Sequence, residues 1–466
     1  MKRRASVDNK LTKNRFLIIS CTVIMILNGC STSMKSEKKM LLKEIEFSLK
    51  NEFIDLWYPA SLDSVYGGFL SDFTFDWQPQ GPQHKMIVTQ SRQIWTATQC
   101  ALFYNDDYYR RIAAHGLHFL RDKIWDTKYG GFYHIRDQQG NALPGDDADQ
   151  KSAYGNAFAL YALATHYAVF GDSAVLDLAC QTFNWLEKYN HDPEYKGYVD
   201  VTDRTGNWLQ QNTNGIRIGN LDGGVIKDFN SSIHILEALT QFYKVRPDSL
   251  VWERLQEMLI LIRDFMIDER GFLKLYFERD WTPFTVDDSA DTTRPADYSL
   301  AHVSFGHDVE TAYLMLEADQ ALGTHSNPQI RSIAKKIVDH TLANGWDQSN
   351  GGFYYQGNYF ANSDTITVID NTKEWWVQAE GLNALLLMAK LFPEENKYYE
   401  SFKRQWEYLQ RYLIDHEHGG WYSKGLDKSP ERLKSPKGSI WKVNYHETRA
   451  MINCIKLLQN EHELLK

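Results

Sequence analysis

Apolar positions past residue 40 recur with the period of helices. Leu382, Leu385, Leu386 and Ala389 follow the i, i+3, i+4, i+7 stripe of an amphipathic helix. Segments 328–343 and 398–413 intersperse charges among their apolar residues, which suits helices of an outer layer. Between such helices a short phrase recurs: Tyr66-Gly67-Gly68-Phe69, Tyr129-Gly130-Gly131-Phe132, Asn350-Gly351-Gly352-Phe353 and His418-Gly419-Gly420-Trp421. Two weaker copies, Tyr195-Lys196-Gly197-Tyr198 and Glu269-Arg270-Gly271-Phe272, fill the gap. The markers Gly68, Gly131, Gly197, Gly271, Gly352 and Gly420 stand 63, 66, 74, 81 and 68 residues apart. Spacing this even marks an internal repeat of one helix pair per unit. The phrase reads as a turn, because glycine tolerates positive φ and the aromatic after it re-enters packed structure. Six helix pairs close most economically into an all-α (α/α)6 barrel, inner helices around a funnel and outer helices around them. An open helical solenoid is the competing architecture.

The first forty residues follow a different pattern. Lys2, Arg3, Arg4, Lys10, Lys13 and Arg15 precede an apolar run from Phe16 to Leu27, and Leu27-Asn28-Gly29-Cys30 follows. A basic segment, an apolar segment and small residues at a cut site make an export signal. A cysteine directly after Leu-x-Gly looks like a lipobox, and the run is shorter than the roughly 20 residues of a membrane span. The expected division is a lipoprotein signal peptide over 1–29, a short linker over 30–40 after lipidated Cys30, and a catalytic barrel over 41–466. The expected location is that of an exported bacterial lipoprotein facing the periplasm, touching the membrane only through its lipid.

Composition narrows the chemistry. The net charge of −9, with basic residues scattered, excludes nucleic acid as an expected partner. Past Cys30 only Cys100, Cys180 and Cys454 remain, an odd, widely spaced set that suits neither a disulfide framework nor zinc. No metal or cofactor is expected. Aromatic residues make up 14% of the chain, with 14 Trp and 26 Tyr, and in an exported protein such a surplus suits stacking on the apolar faces of sugars.

A repeat lets function be sought by phase. Arg92 follows Gly68 by 24 residues, Tyr154 follows Gly131 by 23, Trp376 follows Gly352 by 24, and His446 follows Gly420 by 26. The lag grows to 37 for His234 and 36 for His307, where the loops 199–227 and 276–304 are longer. Residues at one phase of a closed repeat converge on one end of the barrel, so these six should share a pocket. A lone helical histidine is more often a packed core group than a catalyst; the convergence argues otherwise. His307 and Glu310, at i and i+3, could form a carboxylate-tuned imidazole.

At these residues the chain resembles the N-acylglucosamine 2-epimerase family, and within it the cellobiose/mannobiose 2-epimerases. The matching phrases are Gln90-Ser91-Arg92-Gln93-Ile94-Trp95, the run from Tyr154 to Tyr161, the run from Asn230 to Ala238, Gly306-His307-Asp308-Val309-Glu310, the run from Lys373 to Glu380, and Trp441-Lys442-Val443-Asn444-Tyr445-His446. The resemblance implies the (α/α)6 fold and interconversion of gluco and manno configurations at C2 of a reducing-end sugar. It implies that His307 and His446 are the general acid/base pair with Glu310 supporting His307, and that Arg92 and His234 hold O1 and O2. Tyr154, Asn230, Trp375, Trp376, Trp441 and Glu380 become the implied sugar contacts. The chain departs from the family where Asn444-Tyr445-His446, followed by Glu447, stands for Pro-Tyr-His, and where Ser232 replaces a histidine.

Chemistry fits this expectation. Epimerising C2 requires an open-chain aldehyde, a base to make an enediolate and a second group to return the proton on the opposite face. A neutral imidazole, with a reference pKa near roughly 6.5, is a suitable base at ambient pH, and two histidines supply the two groups. Arg92 would supply fixed charge to the enediolate oxygens. Ring geometry alone would pair His234 with His446; the resemblance favours His307. An aldose–ketose isomerase would return the proton to C1. A glycoside hydrolase or lyase would want paired carboxylates, and a glycan-binding lipoprotein would need no in-phase histidines. The expected partner is a small reducing sugar or disaccharide.

Overall fold

In this computed structural model the described residues are 36–145, 149–209, 212–213, 216–217, 226–284, 302–323, 327–360, 365–462 and 464. The signal segment and Cys30 lie outside them. The chain divides into compact units at 1–48 and 49–466, and in the first, residues 36–47 are helical.

The second unit holds the repeat. After a π-helical turn at Ser48–Ile54 come α1 (Asp55–Ala60), α2 (Ile87–Tyr104), α3 (Asp107–Phe119), α4 (Ala153–Phe170) and α5 (Ser173–Tyr189). They continue with α6 (Phe229–Val245), α7 (Ser249–Leu261), α8 (Phe305–Ala321), α9 (Pro328–Asn344), α10 (Trp375–Leu391), α11 (Asn396–Tyr412) and α12 (Tyr445–Gln459). The even-numbered helices are inner. Each packs on the next, and α12 returns to α2, so the ring closes and the open solenoid is ruled out. The outer run also ties the first repeat to the last, since Gly420 N–H donates to the Glu52 carbonyl at 2.6 Å.

Burial explains which helix goes where. In α10 every residue from Val377 to Met388 is buried, so the stripe through Leu382 and Leu386 is part of a helix covered on all sides rather than on one face. In α11 only one face is covered, through Tyr398, Phe402, Trp406 and Leu409, as its interspersed charges require. The Gly-Gly phrases are left-handed turns, with φ of +85° and +68° at Gly67 and Gly68 and +80° and +81° at Gly351 and Gly352.

Short antiparallel strands, absent from the all-helical expectation, lead into four inner helices. They pair Lys85 with Arg136, Lys151 with Thr202, Lys227 with Phe277, and Val303 with Gly357. They arise because the loop before each inner helix runs beside the loop of the next unit, where extended backbone satisfies its own polar groups.

Lysines pin the turns. An aspartate caps each turn by accepting backbone N–H groups, as Asp63 does from Val65 and Tyr66. Lys85–Asp63 at 2.8 Å, Lys151–Asp126 at 3.0 Å, Lys227–Asp192 at 3.2 Å, Lys373–Asp347 at 2.9 Å and Lys437–Asp415 at 2.5 Å repeat the pairing. The ammonium groups also donate to turn carbonyls, such as Gly351 O from Lys373. In the fourth unit Val303 stands at the lysine's place, two residues before its inner helix, and Asp268 pairs with Arg270 instead.

Candidate active site

The first two turns of the inner helices converge on one end of the barrel. There Arg92 of α2 donates to the Tyr154 hydroxyl of α4 at 3.2 Å. The Arg92 guanidinium lies 4.4 Å from the Phe158 ring centre, and the His234 ring of α6 lies 4.6 Å from the same ring. Tyr154 also meets His234 at 5.5 Å, and the Asn230 side chain lies beside the Tyr154 hydroxyl. On the other flank Trp376 of α10 lies 4.5 Å from the His307 ring and 6.0 Å from the His446 ring. The six residues expected to share a pocket are therefore brought together.

Each histidine has its Nδ1 engaged. Ser304 Oγ meets His307 Nδ1 at 2.6 Å, Glu237 meets His234 Nδ1 at 2.8 Å, and Glu380 meets His446 Nδ1 at 2.6 Å. Burial holds His307 and His446 well below the usual imidazole range, and nearby positive groups, Arg92 among them, reinforce this. Both shifts favour the neutral form of the ring.

One expected role is corrected. Glu310 does not support His307: its Oε1 is bonded to Arg449 of α12, and its charge acts on His446. A guanidinium–carboxylate bond is stronger than one to a neutral imidazole, so Arg449 captures the carboxylate. Glu380 Oε1 accepts from Arg449 at 2.7 Å and meets His446, while its Oε2 has no hydrogen-bond partner. It takes the orienting part expected of Glu310.

Sequence reasoning missed Arg449, Glu237, Tyr445 and Phe158. Arg449 bonds Glu237, Glu310 and Glu380 together, and the Tyr445 hydroxyl donates to Glu237 at 2.6 Å. Against the cost of burial, Arg449 and His234 hold Glu237 at about 2. The signal was available: His234 and Glu237 have the same i, i+3 spacing as His307 and Glu310, and Arg449 follows His446 by three. Glu310, Glu380 and His446 bring ligand atoms within 4.8 Å of one another. Arg449 already supplies the positive charge that such a cluster attracts.

The outlying residues are placed differently. Trp375 is part-buried with Lys442 Nζ 5.6 Å from its ring. Trp441 is 49% exposed on the loop before α12, next to Ile440, whose carbonyl accepts from Thr89 of α2. Ser232 donates to the Asp228 carbonyl at 2.7 Å. It occupies the phase at which Gln90, Asn156 and Gln378 brace the turns, so its departure from the family phrase falls on the scaffold.

A closed ring of six helix pairs with imidazoles, an arginine and aromatic rings at one end defines an (α/α)6-barrel enzyme. The chain belongs to the N-acylglucosamine 2-epimerase family, whose sequence model matches residues 67–450, and it is a sugar epimerase by class. A cellobiose 2-epimerase of Bacteroides fragilis is 27% identical over 423 residues, covering 90% of this chain and 99% of the relative. A D-mannose isomerase of Marinomonas mediterranea is 24% identical, covering 86% of this chain and 94% of its own. The solved cellobiose 2-epimerase from Spirochaeta thermophila has a TM-score of 0.78 and 25% identity, covering 92% of this chain and 99% of that one.

Proposed function

We propose that this protein interconverts gluco and manno configurations at the reducing-end sugar of a β-linked disaccharide of cellobiose or mannobiose type. The supporting observation is that two imidazoles, His307 and His446, flank one aromatic ring, Trp376, each with Nδ1 tied and Nε2 left for substrate. The neutral imidazole facing the C2 hydrogen of the open-chain aldose takes that proton and becomes imidazolium; the other, after taking a proton from solvent, gives it to the opposite face of C2, and exchange with solvent resets the pair. Arg92, whose buried Nε has no hydrogen-bond partner, and His234 hold the oxygens where negative charge develops. The N-termini of the inner helices point the same way and favour that charge.

In D2O the protein should convert cellobiose or mannobiose to its C2 epimer with deuterium at C2. His307→Asn and His446→Asn should each lose turnover by roughly 10²–10⁴-fold, the loss typical of an acid/base group. One variant should still exchange the C2 proton of the gluco sugar and the other that of the manno sugar. Exchange of the same epimer by both, with a ketose product, would support a single-base isomerase, the activity named for the Marinomonas relative.

We also propose that Cys30 carries a lipid that anchors the exported protein in the membrane. Removing 1–29 and replacing Cys30 by Ser should yield soluble protein of unchanged turnover; retention in the membrane fraction would overturn the anchor.

A further inference from the structure

Two residues beside the site stand outside the mechanism. Glu447, the residue after His446, is wholly buried, and neither carboxylate oxygen has a hydrogen bond. Its counter-ion is Lys442 Nζ at 3.6 Å, an ion-pair distance. Lys442 is itself buried at 3% exposure and donates to the Lys437 carbonyl at 2.8 Å. Lys437 in turn is paired with Asp415 in the sixth turn. The loop from Lys437 to Val443 is thus fastened at one end to a turn and at the other to the first turn of α12. Between the fastenings sits Trp441, half exposed at the lip of the barrel.

Burying a carboxylate opposite an ammonium without hydrogen bonds to either oxygen costs stability relative to apolar residues of the same size. What the pair supplies is position. Trp441 is outside the group of rings around His307 and His446, so it can meet only the part of a sugar that protrudes from the funnel. An exposed indole binds such a ring well when its loop is already ordered, because no conformational entropy is then lost on binding.

We propose that Lys442 and Glu447 form a latch that holds the Trp441 loop against the His446 helix, making Glu447 a specificity-determining positioning residue for the sugar ring beyond the reacting one. This rests on the sugar-epimerising reading of the site. In the purified protein, Glu447→Gln should raise KM for cellobiose ~10-fold with kcat changed less than ~2-fold, the pattern of lost uniform binding. KM for glucose or mannose, which lack the second ring, should stay put. Trp441→Ala should do the same, and the two changes together should cost no more than either alone, since both remove one contact. Amides 438–443 should exchange with D2O faster in Glu447→Gln than in the parent.

If Glu447→Gln folds poorly, Lys442→Met/Glu447→Leu replaces the pair by apolar groups and should show the same fast exchange and the same KM change. Equal KM rises for mono- and disaccharide, a kcat loss at constant KM, or additive effects with Trp441→Ala would overturn the latch. Should no sugar be turned over at all, the functional reading fails, while unchanged exchange at 438–443 separately overturns the latch.

Discussion

The imidazole that removes the C2 proton must be neutral when it does so. Burial and the nearby positive groups keep His307 and His446 well below their usual range, so protonation that would disable them requires more acid than an exposed histidine needs. The sign follows directly: a base with a lowered pKa remains competent to lower pH. The kcat/KM profile should therefore hold its plateau through pH ~6.5 and fall only below it. An acid limb centred at or above that value would contradict the assignment. At this scale the sequence revealed residue types and phase, and Arg92, Tyr154, His234, His307, Trp376 and His446 do come together at one end of the barrel. It did not reveal which carboxylate serves which imidazole. Glu380 reaches His446 from a different helix, 66 residues away in the chain, so no local spacing encodes that bond.

Between residues and barrel lies the turn-and-strand joint, where a lysine, an aspartate and a Gly-Gly turn recur. Lys373 is the fullest example, donating to Asp347 at 2.9 Å, Asp427 at 2.8 Å and Gly351 O at 2.7 Å with no side-chain exposure. Lys373→Met would strand two buried carboxylates. Removing one partner of a buried pair costs about 3–5 kcal/mol, so the urea midpoint should fall accordingly with the slope unchanged. A loss under ~1 kcal/mol, the value of a surface pair, would show that the joint is not a stability element. The glycines of these joints stood out in the sequence because only positive φ explains a repeated pair. The lysines did not, because Lys85, Lys151, Lys227 and Lys373 keep their phase to the inner helix and not to the variable loops.

Over the whole molecule, closure buries titratable groups that an open array would leave wet. His166 and His340 are pushed down to about 4 by burial, and His307 and His446 are also lowered. Below pH ~6.5 the unfolded chain takes up protons at these histidines that the folded chain refuses, so stability should decline from that point downward. Asp192 and Asp347 are held at about 2 despite burial, by Arg279 and Lys373 foremost, so their contribution persists above the unfolded value and is lost only as pH falls toward 2. Thermal unfolding should thus show a first decline beginning near pH ~6.5 and a steeper one below pH ~4. A melting temperature flat from pH 7 to 4.5 would refute the histidine part.

The sequence by itself determined the repeat, the helix pairs, the turns and the set of residues brought to one end. Each of these follows from periodicity or from the conformational freedom of glycine, which are local properties. Only the tertiary structure decided that the ring closes through α12 and α2, that the inner helices are covered on every side, and that Arg449 gathers Glu237, Glu310 and Glu380. Those outcomes depend on which charges meet across helices distant in the chain. Arg449 pairs with three carboxylates from three different helices, and no spacing along the sequence can say which those are.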